Sequence, residues 1–107
     1  MTDLSNLAQT VIDTILETRE FSRYRELLEE LEKQPDLFLR VNQMREKNFR
    51  LQHEENVDLL DMYDSLANEY EDVINNELVG AFMEAEVAAC RVVKDFVYTV
   101  TKGLEFD

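Results

Sequence analysis

The chain has 107 residues, 45% apolar and 33% charged, with two glycines, one proline and one cysteine. That length accommodates one domain, and so few turn-forming residues argue against a small β-fold and for helices throughout. A formal net charge of −13, from 24 acidic and 11 basic side chains, repels phosphate backbones and anionic lipid surfaces, which excludes nucleic acid and membrane as direct partners.

The first helix is expected to start after Thr2 or Asp3, either of which can cap free backbone N–H groups. Leu4, Leu7, Ala8, Val11, Ile12, Ile15 and Leu16 follow at the spacing of one helical face, and the pattern breaks at Thr18-Arg19-Glu20. A second helix carries Phe21, Tyr24, Leu27, Leu28 and Leu31, with Glu26, Glu29, Glu30 and Glu32 turned outward. Pro35 ends it by disfavouring helical backbone at Gln34, and it can equally open a third helix, where its missing N–H is no loss. Leu37, Phe38, Val41, Met44 and Leu51 form the apolar face of that helix, with Phe49 off it.

The polar run from His53 to Asp58 reads as a loop, with Asn56 or Asp58 as the cap of a fourth helix. Its inner side is expected to hold Leu59, Leu60, Tyr63, Leu66, Ala67, Tyr70, Val73 and Ile74, up to a kink or break at Asn75-Asn76. A fifth helix runs from about Glu77 to Lys102, and Gly103 follows as its C-terminal stop. One face holds Phe82, Ala89, Cys90, Val93, Phe96, Val97 and Val100, and a second holds Leu78, Ala81, Ala85, Ala88 and Val92. A helix apolar on two sides is central or sits at an interface, and the small residues of the second stripe let another helix approach closely. The expected architecture is an all-α bundle of four or five helices, a single domain over residues 1–107 with a long C-terminal helix. The second stripe is the expected interface of a homodimer.

No stretch approaches the ~20 apolar residues that span a bilayer, and the N-terminus lacks the basic start and apolar run of a secretion signal. A single cysteine cannot close an internal disulfide, which agrees with a reducing compartment, and cytoplasm is the expected location.

The residues bear on three kinds of chemistry. Di-iron bundles need Glu-x-x-His pairs on two helices, but the one histidine, His53, has Arg50 three positions before it. Nucleophilic catalysis would use Cys90, which is expected to pack on the apolar stripe while Arg91 and Lys94 point away from it. The glycines, Gly80 and Gly103, stand apart, so no phosphate-binding loop exists. Glu86 is the odd polar residue, with Phe82, Met83, Ala89 and Cys90 as its helical neighbours. It either is partly buried beside a donor such as Arg40, Arg45 or Tyr63, or lies at a wet edge. No catalytic, cofactor-binding or metal-ligating residue follows from these patterns.

Several segments resemble the YlbF/YmcA family of small helical bacterial regulators, the YheA-like proteins. They are the first helix ending in Thr18-Arg19-Glu20-Phe21, the Leu-rich second helix, the Pro35-Asp36 junction, and above all Asn76 through Val100. Within that last stretch, Phe82-Met83-Glu84-Ala85-Glu86 and Ala89-Cys90-Arg91 are similar to the family's C-terminal pattern. The resemblance covers almost the whole chain. It implies an all-helical protein that often self-associates and that regulates competence, sporulation and biofilm formation. Such regulators work in a complex with a third protein that influences the endoribonuclease RNase Y. Some members are linked to iron–sulfur clusters, but a conventional cluster takes about four thiolates and this chain supplies Cys90 alone. The expected function is therefore a non-enzymatic regulatory adaptor without a cofactor, binding protein partners. The alternative is an acidic helical chaperone or export partner for a basic client.

Overall fold

Asp3 is the first residue described by the computed structural model, which describes residues 3–53 and 58–105. Its carboxylate accepts the Ser5 N–H at 2.9 Å and so caps α1, Leu4–Leu16. Thr2 and Asn56, the alternative caps, lie outside the described residues. The break at Thr18 is a tight joint. Its hydroxyl donates to the Ile15 carbonyl at 2.6 Å and accepts the Phe21 N–H at 3.3 Å, closing one helix and starting α2, Arg19–Glu32.

Pro35 is the first residue of α3, Pro35–Gln52, and Gln34 before it sits outside helical backbone at φ −119° and ψ 78°. Asp58 accepts the Asp61 N–H at 3.3 Å and caps α4, Leu59–Glu69. A four-residue helix α5, Glu71–Ile74, follows, and Asn76 caps α6, Glu77–Gly103, by accepting the Val79 N–H at 3.1 Å. Among the described residues every regular element is a helix, and there are six. The added helix arises because the expected fourth one is interrupted at Tyr70, where φ −111° and ψ 27° leave the helical range. Gly103 does end α6, yet it has no positive φ. The left-handed residue is Glu105 at φ 63°, whose N–H bonds the Lys102 carbonyl.

The chain divides into two compact units, one formed by the segments up to Leu28 and from Phe82 on, the other by Glu29–Ala81. The boundaries fall inside α2 and α6, so both helices run through them.

In the Glu29–Ala81 unit, α3 packs on α4 and α5, and Leu31, Val41, Leu51, Tyr70, Val73 and Val79 are buried. Tyr70 explains the interruption. Its ring is almost fully buried, and the side chains of Arg40 and Lys47 lie 4.8 Å and 5.3 Å from the ring centroid. Arg40 also bonds the Glu69 carbonyl at 3.0 Å, and Lys47 bonds the Glu69 carboxylate at 2.6 Å. These contacts hold the chain at the point where the helix stops. Of the described residues expected on the inner face of the fourth helix, Tyr70 and Val73 are buried and Leu66 is half-buried, whereas Leu60, Tyr63, Ala67 and Ile74 are exposed.

The unit that contains both chain ends is built differently. Phe82, Ala85 and Ala89 of α6 are its buried residues. Tyr24 of α2 stacks on Phe82 with ring centroids 5.6 Å apart, and Phe21 meets Tyr24 edge-on at 6.1 Å. No residue of α1 is buried.

Candidate interaction surface

The apolar face of α1 is where sequence spacing said it would be, but only Val11 and Ile15 are half-buried. Leu4, Leu7, Ile12 and Leu16 are exposed, Leu4 to 77%. Scattered exposed leucines are ordinary on any protein. On α1 they mark the edges of the apolar face, Leu7 on one side and Ile12 and Leu16 on the other, with the half-buried Val11 and Ile15 between them.

A second exposed apolar surface lies on α6. Phe82, Glu86, Ala89, Val93, Phe96 and Val100 succeed one another by alternating steps of four and three, the spacing of a helix–helix seam. The seam is closed at its start and open at its end. Phe82 and Ala89 are buried, whereas Val93, Phe96 and Val100 are exposed, together with Val97 beside them at 51%. The side chains that leave the core early in α6 are thus continued by an uncovered row towards its C-terminus.

Where the seam passes α2 there is a cleft of about 350 Å³ lined by Phe21 and Tyr24 on one side and Glu86, Ala89, Cys90, Val93 and Lys94 on the other. Cys90 is exposed here, not packed among apolar groups as its position on the stripe suggested. Lys94, one turn on, lines the same cleft instead of pointing away. Both corrections have one cause. The face of α6 that meets α2 is centred on Phe82, Ala85 and Ala89, and this rotates Cys90 to the rim. Glu86 is half-buried in the same cleft. Arg40, one of its expected donors, pairs instead with Asp72 at 2.7 Å, and Tyr63, another, is exposed.

The expected interface stripe is divided by this rotation. Ala85 is buried within the chain itself, and Leu78, Ala81, Ala88 and Val92 are half-buried. Sequence spacing did not single out Val93, Phe96, Val97 and Val100 as the exposed part of α6. The signal was available in part: Val93, Phe96 and Val100 continue the four-and-three spacing that starts at Phe82.

A second cleft of about 210 Å³ lies in the other unit, between Lys47, Arg50, Leu51, Met62, Ser65, Leu66 and Glu69. Both cations on its rim are paired, Lys47 with Glu69 and Arg50 with Glu46, which reduces its attraction for an anion. His53 ends α3 with its ring against Phe49, 4.4 Å between centroids. That contact also accounts for Phe49, which falls off the apolar face of α3. Among the described residues no three His, Cys, Asp or Glu side chains are grouped as metal ligands. None of their helices is long and apolar enough to cross a membrane.

Among the described residues the exposed apolar rows of α1 and α6 are the main contact area the surface offers. A sequence model of the family described as "Control of competence regulator ComK, YlbF/YmcA" matches residues 4–105, from the first residue of α1 to the turn after α6. The chain belongs to the YlbF/YmcA family. This YlbF/YmcA protein is thus a member of a family of regulators, which is not a known enzyme family. No curated protein and no solved structure gives a match. Because the match takes in α1 and all of α6, both exposed apolar faces of this YlbF/YmcA chain lie within the family's own extent.

Proposed function

We propose that this protein is a non-enzymatic regulatory adaptor that acts in the cytoplasm by binding other proteins. The observation that carries the reading is the uncovered apolar surface of α1 and α6, displayed by a chain of net charge −13. Apolar rows of this kind are stable in water only at some expense and are characteristic of surfaces that meet another protein. Family membership adds the kind of process: control of competence, and by resemblance sporulation, biofilm formation and RNase Y-dependent RNA processing. The adaptor works as a homodimer, with α6 as the contact helix. Of its small-residue stripe, Leu78, Ala81, Ala88 and Val92 stay half-buried and allow the close approach of a neighbouring helix, while Ala85 is taken up in the core, and residues 1–107 act as one domain.

Affinity capture with the full chain from native lysate, repeated with Phe96→Glu, tests the adaptor reading. Proteins of an RNase Y-associated complex should be retained by the natural chain and lost with the variant. Capture of one abundant basic protein in their place would favour an acidic chaperone or export partner. Undiminished capture by Phe96→Glu would overturn the role assigned to the exposed face.

A further inference from the structure

The two compact units are held together unequally. In Glu29–Ala81 the buried side chains are Leu31, Val41, Leu51, Tyr70, Val73 and Val79. Side chains also tie its helices to one another. Arg40 of α3 bonds Asp72 of α5 and the Glu69 carbonyl, and Lys47 of α3 bonds the Glu69 carboxylate. The most extensive helix-on-helix packing, α3 with α4, lies in the same unit. Among the described residues of the unit with both chain ends, Phe82, Ala85 and Ala89 are buried, and two of these three are alanines. α1 adds none. The side-chain hydrogen bonds of Gln9, Thr10, Thr14, Thr99 and Thr101 reach only three or four residues along their own helix. Bonds of that kind do not hold a helix to its neighbours, and the resistance of a segment to opening comes chiefly from the apolar area it buries.

We infer that the unit with both chain ends opens by itself: α1, residues 19–28 of α2 and α6 from Phe82 on come apart together while Glu29–Ala81 keeps its fold. The opening unit displays the uncovered rows of α1 and α6. On the adaptor reading proposed above, a partner that binds those rows therefore also stabilises the closed form, because it binds that form and not the opened one. The opening itself needs no partner, so its test is independent of the capture experiment.

Native-state hydrogen exchange of the full ¹⁵N-labelled chain in low denaturant provides that test. Relative to their intrinsic rates, the hydrogen-bonded amides of α1, of residues 19–28 and of residues 89–100 should exchange at least about tenfold faster than the slowest amides of α3. Val41→Ala then distinguishes two cooperative units from one. Val41 is fully buried in Glu29–Ala81, which stays folded during the opening, so the substitution weakens the closed and opened forms equally. Exchange of the slowest α3 amides should rise by about tenfold or more, with that of residues 89–100 unchanged. Equal protection of the two units in the natural chain, or equal acceleration of both by Val41→Ala, would overturn the inference. So would slow exchange in α1 and residues 19–28 beside fast exchange near Gly103, which is the fraying of one helix end. If Val41→Ala does not fold, the protection pattern of the natural chain decides alone.

Discussion

Arg40 on α3 grips Asp72 on α5 by two hydrogen bonds, from Nε at 2.9 Å and from Nη2 at 2.7 Å. The hydrogen bond and the positive charge of Arg40 lower the Asp72 pKa below its ordinary 3.8, and Asp72 in turn raises that of Arg40. A carboxylate with a depressed folded-state pKa stabilises the protein fully above the unfolded value, and the contribution vanishes as pH falls through the folded one. The stability difference between the natural chain and Asp72→Asn should therefore be constant near neutrality and shrink on acidification below about pH 4. Denaturant midpoints measured across that range check it. The groups are solvent-exposed, so the effect is small and is further screened by salt.

Phe82 is fully buried and stacked on Tyr24, in a unit with only two other buried residues among those described. Phe82→Ala should lower unfolding free energy by about 3–5 kcal/mol, the usual loss for a buried aromatic ring. For a chain of this size that is a large part of the total. Chemical denaturation followed by circular dichroism would show it, and an unchanged midpoint would mean the ring is dispensable.

Gly80 lies in the first turns of α6 without positive φ, and a Cβ built there would meet nothing within 4 Å. Gly80→Ala should stabilise the protein by roughly 0.5–1 kcal/mol through the restricted unfolded chain and better helix propensity. A lower melting temperature would mean that the position is filled by a contact in the assembled protein.

Ala85 and Ala88 differ in what a charge would do. Ala85 is buried in its own chain and Ala88 is half-buried, so Ala85→Glu should unfold the protein. Ala88→Glu should fold and, with α6 as the contact helix, dissociate the dimer. Phe96→Glu should do the same from the exposed row. Sedimentation equilibrium alongside circular dichroism separates loss of fold from loss of association.

Cys90 is exposed, so in the native protein its thiol should react with a disulfide reagent without prior denaturation. The isolated protein should be colourless and free of iron, with Cys90→Ser unchanged in absorbance. A stoichiometric cluster absorbing at roughly 400 nm in the protein alone, lost with Cys90→Ser, would contradict this, since one thiolate per chain falls short of the usual set of about four.

Helix positions were legible because the signals are local. Asp3 and Asp58 cap what their spacing says they cap, Pro35 starts α3, and the Thr18 break separates α1 from α2 through bonds within three residues of itself. The interruption at Tyr70 was not legible. It depends on Arg40 and Lys47, some thirty and twenty residues earlier in the chain, reaching its ring and the neighbouring Glu69.

The same division applies to the candidate surface. Composition and periodicity alone determined that the protein is helical and acidic and that α6 is apolar over more than one face. Which residues of α6 are open was decided only by the fold. A helical period of 3.6 residues states which side chains share a face, but the rotation of that face towards Tyr24 depends on how two rings from distant segments stack. That stacking buries Phe82 and Ala89, places Cys90 and Lys94 on a cleft, and leaves Val93, Phe96, Val97 and Val100 uncovered.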